Sequence, residues 1–312
     1  MRIHTHADDL KLTNTVIAVG TFDGLHTGHQ RIVERVRDEA AVRKAESVIV
    51  TFNPHPRFYF NPDNDSFKVL HTHLDKVGRF YHHHIDHLVV LPFNKELAGM
   101  TAEAFVQKYL VEKMDIKHLV LGYDNRLGKD QLNDDEAYAA IASRYGFTFE
   151  RVGPLKAKGK AVSSSLIRDR LATGNIRDAN GLLGYEYFVF GRVAFGNQIG
   201  KSLGFPTANI EIKDPHKMLP CNGVYIVRVD WNSYDYYGIC NIGIRPTIHK
   251  SSFTFEVHLF DFHRDIYNDY LTVFFIERIR DEKRFNSLEE LEQQIQRDKE
   301  TAQAYLERNG IT

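Results

Sequence analysis

Gly20-Thr21-Phe22-Asp23-Gly24-Leu25-His26-Thr27-Gly28-His29-Gln30 follows directly on the apolar run Val16-Ile17-Ala18-Val19. A short apolar run, then small residues, then a helix-forming segment reads as a buried parallel strand, a tight turn and a helix start. α/β sheets bind phosphates at such turns, because backbone N–H groups at a helix N-terminus, with the macrodipole behind them, favour an anion. Gly20, Gly24 and Gly28 let backbone and ligand approach closely, and Phe22 and Asp23 are carried in the same turn.

Two histidines three residues apart put two imidazoles at the mouth of that turn. An H-x-G-H after a strand suits nucleotidyl transfer, in which an incoming phosphate attacks the α-phosphorus of ATP and pyrophosphate leaves. No protein nucleophile is needed. The reaction needs positioned donors, here His26 and His29, where charge grows on the phosphate oxygens, and one such donor is worth roughly a hundredfold in rate. Either histidine alone would read as a helix cap or a surface group; the strand, the glycines and Asp23 around them point to a phosphate site.

Outward from this turn, the first half alternates strands with helices. Strands are expected at Val16–Val19, Ser47–Phe52, His87–Leu91, His118–Leu121 and Phe147–Val152. Helices are expected near Gln30–Lys44, Asp75–His83, Thr101–Met114 and Asp134–Tyr145. The alternation implies a doubly wound parallel sheet with ligands outside the carboxyl ends of its strands. At those ends lie Asn53-Pro54-His55-Pro56-Arg57, a stretch stiffened by two prolines, and Gly122-Tyr123-Asp124-Asn125-Arg126-Leu127-Gly128-Lys129. The second could meet phosphates or a metal, or be a solvated polar turn. His71, His73, His82, His83, His84 and His87 lack the spacing of metal ligands and read as a solvated helix end. After the basic loop Lys156–Lys160, Ser164 and Ser165 start a helix, with Arg168 one turn in, suited to clamping a triphosphate.

Composition changes near Gly181–Tyr185, after helical patterns at Ser165–Leu171 and Asn175–Leu183. Tyr187–Phe195, Gly223–Trp231, Tyr236–Ile242, Phe253–Phe260 and Leu271–Ile279 are rich in β-branched and aromatic residues, which predicts a small antiparallel β-barrel. A capping box at Ser287 and Glu290 opens a terminal helix. Two domains are expected, 1–183 and 184–312.

At 312 residues, 43% hydrophobic and 26% charged, the chain suits a globular protein with two cores. A net charge of −1 argues against a surface that coats nucleic acid. No signal peptide and no 18-residue apolar run stand out, so no membrane association is expected. Cys221 and Cys240 form no C-x-x-C pair, which fits a reduced cytoplasmic compartment.

In order, GTFDGLHTGHQ, TFNPHP and SSSLIR resemble the adenylyltransferase half of the bacterial bifunctional riboflavin kinase/FAD synthetases, of the H-x-G-H nucleotidyltransferase superfamily. The resemblance implies that His26, His29, Ser164, Ser165 and Arg168 handle ATP phosphates, while Asn53–Pro56 and Asp124–Arg126 shape the flavin side. The chain departs from the pattern at Asn125 and Leu127, where the family carries aromatic residues, so its flavin-side packing must differ there. Farther on, Pro206-Thr207-Ala208-Asn209, Asn241–Thr247, Glu256–Phe262 and Arg280–Phe285 resemble the riboflavin kinase domain. This implies Mg²⁺-ATP at Thr207 and Asn209 under a loop with Gly196 and Gly200, Glu256 as base toward the ribityl hydroxyl, and Arg280 and Phe285 at the flavin. Asn268 stands where the family has a glycine. The expected protein phosphorylates riboflavin to FMN and adenylylates FMN to FAD with ATP and Mg²⁺, with no obligate protein partner. A kinase with a weak adenylyltransferase, or a non-catalytic flavin- or nucleotide-binding regulator, are the alternatives.

Overall fold

The apolar runs of the first half become strands buried on both faces. In the structure, a computed structural model describing residues 1–6, 9–64, 66–195, 204–246 and 251–311, the chain divides into two compact units, Met1–Ser164 and Ser165–Thr312.

The first unit runs β1 (Arg2–His4), β2 (Thr15–Val19), α1 (Thr27–Arg43), β3 (Glu46–Asn53), α2 (Pro56–Phe60), α3 (His73–Tyr81), β4 (His87–Pro92), α4 (Lys95–Ala98), α5 (Ala102–Phe105), β5 (Ile116–Gly122), α6 (Asp135–Tyr145), β6 (Thr148–Val152) and a small hairpin of β7 (Lys156–Ala157) and β8 (Lys160–Ala161). Its main sheet is parallel, in the order β1-β4-β3-β2-β5-β6. Side chains alternate across the sheet, so Val16 and Ala18 of β2 pack with Val33, Val36 and Phe80 on one side. Ile17 and Val19 pack with Phe105, Leu110, Tyr138 and Ile141 on the other. The strand order reverses between β2 and β5, and the crevice of a doubly wound sheet opens at that point.

Three features differ from the sequence expectation. The edge strand β1 is too short and polar to read from periodicity. The proline-rich stretch is not a plain loop: His55 caps α2, accepting from the Arg57 N–H at 3.1 Å, and Pro56 occupies its first turn, where its missing N–H costs nothing. The helix expected over 101–114 starts after an N-capping Thr101 and widens into a π-helical turn at Val106–Val111, with Phe105, Val106 and Leu110 all buried.

The second unit opens with α7 (Ser164–Ala172, whose first residue belongs to unit 1) and α8 (Ile176–Leu183). They lead into β9 (Phe188–Ala194), β10 (Ala208–Glu211), β11 (Gly223–Trp231), β12 (Tyr234–Pro246), β13 (Ser251–Leu259) and β14 (Tyr270–Arg280), and the chain ends in α9 (Leu288–Arg308). The strands close an antiparallel barrel, β10-β13-β12-β11-β14-β9, with β10 also pairing β9. Tyr225, Val227, Phe255, Val257 and Phe275 are buried on one face of these strands. Val224, Ile226 and Ile239, on the alternate face, pack with Ala302 and Leu306 of α9. Ser287 caps α9 by accepting from the Glu290 N–H, while Glu290 reaches back to the Asn286 N–H. Asn268 has φ +68°, a left-handed conformation that asparagine tolerates.

Candidate active sites

The phosphate turn of the first unit is built by backbone conformation. Phe22, Gly24 and Leu25 have φ of +47°, +80° and +33°, so the chain doubles back between β2 and α1. Gly24 is required twice over: its φ is left-handed, and a Cβ would lie 2.6 Å from Leu70 Cδ1. Gly28 leaves room for His26, whose ring would stand 3.3 Å from a Cβ there.

His26 is the N-cap of α1, its Nδ1 accepting from the His29 N–H at 3.3 Å. An accepting Nδ1 leaves the proton of the neutral ring on Nε2. The two imidazoles stack with centroids 3.6 Å apart and planes 14° apart, and Phe22 meets His29 edge-on at 5.3 Å. Burial pushes His26 down to about 4 against the opposing charge of Asp23. Burial and then His26, His71 and Lys76 hold His29 well below the ordinary imidazole value. Both rings are therefore neutral donors near pH 7.

Asp23 is buried and accepts the Leu70 and His71 N–H groups at 3.1 and 2.9 Å, anchoring the turn to the segment before α3. Gly20 donates its N–H to Val50 O of β3 at 3.0 Å. The Ser164 hydroxyl donates to Asp23 O at 2.7 Å, and Ser165 and Arg168 lie one turn apart in α7, whose first turn contains both serines. Asn53, at the exposed end of β3, precedes a cis peptide bond to Pro54. Asp124 and Arg126 are exposed beyond β5, with Arg126 donating to Gln131 at 3.3 Å. Asn125 and Leu127 both have structural work here: Asn125 donates Nδ2–H to Val19 O at 2.7 Å, joining the loop after β5 to the end of β2, and Leu127 is buried opposite Leu132.

Sequence reasoning missed the part played by residues 70–76. Thr72 and Asp75 form a full capping box at the start of α3, a legible signature. His71 and His87, grouped by sequence with a solvated histidine tract, are buried, His87 at the start of β4, whereas His82 and His84 are exposed at the helix end as expected. Lys76 is buried, with Nζ 3.2 Å from Phe52 O.

In the second unit, Glu256 of β13 stands in register between Asn209 of β10 and Asn241 of β12. Directly paired residues share a sheet face, so one carboxylate lies between two carboxamides. Asn241 shares that face with Ile239, two residues earlier, which α9 covers. It also lines a cavity of about 1000 Å³ with Asn222, Thr254, Glu282, Phe285 and Leu291. Thr207 is half-buried just before β10, beside Pro206, whose carbonyl lies 2.9 Å from His258 Nδ1. Asn209 is the register partner of Glu256 and Thr207 precedes it by two residues; an amide oxygen and a hydroxyl are hard-oxygen donors of the kind Mg²⁺ takes. Phe285 is in the cavity wall. Arg280 is bound instead to Asp298 of α9. Gly196 and Gly200 lie outside the described residues. Among the described residues no helix is long and apolar enough to cross a membrane.

The FAD synthetase family profile matches residues 8–166 and the riboflavin kinase profile residues 183–306. The bifunctional riboflavin kinase/FMN adenylyltransferase of Haemophilus influenzae is 34% identical over 96% of this chain and 97% of its own. That of Pseudomonas fluorescens is 36% identical over 93% of this chain and 92% of its own. A crystal structure described as a macrolide-efflux protein from Streptococcus pneumoniae superposes with a TM-score of 0.88 at 29% identity, covering 97% of this chain and 98% of that one. The two profiles stand in the order of the two units, and the relatives match along nearly their whole length: the chain belongs to the bifunctional riboflavin kinase/FMN adenylyltransferases.

Proposed function

We propose that residues 1–183 carry adenylyl transfer and residues 184–312 the kinase step of the two-step synthesis, riboflavin to FMN to FAD, that this family performs with ATP. The observation that carries the first assignment is the neutral His26–His29 stack at the N-terminus of α1. An FMN phosphate oxygen attacks the α-phosphorus, the bond to the β-phosphate oxygen breaks, and pyrophosphate leaves. His26 and His29 donate to the phosphate oxygens on which charge accumulates, and a neutral donor does this without giving up its proton. Gly20, Phe22, Gly24 and Gly28 shape the turn around the nucleotide, Asp23 holds it, and Ser164 ties it to the start of α7. Ser165 and Arg168 are assigned to the same nucleotide from the sequence motif alone. Asn53, Asp124 and Arg126 border the flavin side.

For the kinase, Glu256 accepts the ribityl hydroxyl proton as that oxygen attacks the γ-phosphorus and ADP leaves. Thr207 and Asn209 would hold Mg²⁺, which when bound would neutralise phosphate charge. Gly196 and Gly200 are assigned to the phosphates from the sequence motif alone; Phe285 borders the flavin, and Arg280, bound to Asp298, supports that wall rather than touching the flavin. Two free cysteines suit a reduced cytoplasmic setting.

The test is chromatographic separation of riboflavin, FMN and FAD after incubation with ATP and Mg²⁺. His29→Ala is expected to stop FAD formation and leave FMN formation intact. Glu256→Ala is expected to stop FMN formation while supplied FMN still becomes FAD. Loss of both activities in either variant would overturn the division.

A further inference from the structure

Lys76 is a lysine where an amphipathic helix ought to bury an apolar residue. It sits in α3, 5% exposed, between the buried Asp75 and the half-buried Val77. Its Nζ lies 3.2 Å from Phe52 O, 3.5 Å from Thr21 O and 3.5 Å from Thr51 Oγ1, and Thr51 itself donates to Thr21 O at 3.1 Å. These oxygens belong to the end of β3 and to the residue that opens the phosphate turn. All three are neutral. The nearby carboxylate, Asp23, already accepts two backbone N–H groups, from Leu70 and His71. The ammonium is thus out of water with long hydrogen bonds to dipoles; the charge of Asp23 is felt there, but among the described residues no carboxylate makes an ion pair with it. For stability alone this is a poor use of a buried position, since an apolar side chain of the same length would avoid the desolvation cost.

The same charge is felt at the site. It acts on His29 and on His73, in both cases disfavouring their protonated forms. A buried cation whose nearby carboxylate is already engaged by two backbone N–H groups is further complemented when a polyanion arrives, and a fixed, desolvated charge needs no reorganisation when that happens. We propose that Lys76 is a positioning residue for adenylyl transfer: it holds Thr21 and Phe52 at the base of the His26–His29 turn and supplies a buried positive charge that the ATP phosphates complete. This rests on the assignment of that turn to ATP.

The discriminating substitution is Lys76→Met, similar in length and uncharged. With riboflavin kinase activity of the same preparation as an internal control, kcat and KM for ATP and for FMN are measured in FAD formation, together with thermal unfolding and calorimetric binding of inorganic pyrophosphate. The expected result is a fall of about thirtyfold or more in kcat/KM for ATP and about tenfold weaker pyrophosphate binding. The KM for FMN, the kinase rate and the melting temperature are expected to be unchanged, or the melting temperature raised. FAD formation and pyrophosphate affinity within about threefold of the unsubstituted protein overturn the proposal. A lowered melting temperature with a matching loss of activity also overturns it, because that is the behaviour of a lysine serving only the fold. His29→Ala separates the two levels: if it abolishes FAD formation while Lys76→Met does not, the site assignment stands and Lys76 is excluded; if His29→Ala has no effect, the assignment itself fails.

Discussion

Truncating Asp298 to alanine should loosen the kinase unit and its cavity together. Asp298 is 3% exposed and accepts from Arg280 Nε at 2.9 and 3.1 Å, from Arg280 Nη2 at 2.7 Å and from Gln294 Nε2 at 2.9 Å. This fork ties β14 to α9, and the segment between them carries Glu282, Phe285 and Ser287 of the cavity wall. Breaking a fully buried pair by removing one partner costs about 3–5 kcal/mol. The Arg280 side chain is 22% exposed and can recover water, which lowers the expectation to about 2–3 kcal/mol. Trp231, the one tryptophan, lies in β11 with Nε1 donating to Asp269 at 2.9 Å, so its fluorescence reports unfolding of the barrel without contribution from the first unit. With a slope of about 2 kcal/mol per molar urea, the midpoint should fall by roughly 1–1.5 M. In a cycle of Arg280→Ala, Asp298→Ala and the double variant, the coupling should be about 1–2 kcal/mol, and both single variants should raise the KM for riboflavin. Coupling under about 0.5 kcal/mol, with only Arg280→Ala raising that KM, would refute the reasoning and make Arg280 a direct flavin contact.

Three further outcomes follow from the first unit. His26 falls to about 4 in the fold from 6.5, so the unfolded chain binds more protons between those values. Its contribution is present above pH 6.5 and lost as pH falls toward 4, on the order of 3 kcal/mol in all, and His26→Asn, which keeps a capping side chain, should flatten the calorimetric stability profile of this unit over that window. Parallel profiles for the two proteins would contradict the burial argument. Gly24→Ala forces a Cβ into φ +80° and to 2.6 Å from Leu70, so FAD formation should drop sharply while FMN formation holds; normal FAD yield would show that the turn tolerates a side chain. Asn125→Ala leaves Val19 O without its donor, costing about 1 kcal/mol and slowing FAD formation about fivefold, and an unchanged rate would mean that this tie does not position the site.

What could be read from the chain depended on how local the determining physics is. Val16–Val19 followed by a glycine-rich turn and an H-x-G-H announces strand, turn and helix within fifteen residues, and the sheet places them as expected. The barrel strands announce themselves by β-branched and aromatic runs. β10, only Ala208–Glu211, reads as an extended stretch whose place becomes visible once β9 and β13 flank it. Arg280 is the opposite case: its partner Asp298 is eighteen residues away, on a helix whose amphipathic pattern gives no hint of which strand residue its one buried carboxylate will meet. Lys76 was hidden for a related reason. Thr21 follows β2 while Thr51 and Phe52 end β3, so the site that needs the charge exists only after β2, β3 and α3 have packed. Residues that contact phosphate through a turn leave a signature in their own neighbourhood, whereas residues that hold such a turn from beneath are specified by tertiary packing. The places where a charged side chain occupies a position that its own helix would make apolar are therefore where function and stability diverge, and where substitution by an isosteric apolar residue separates the two.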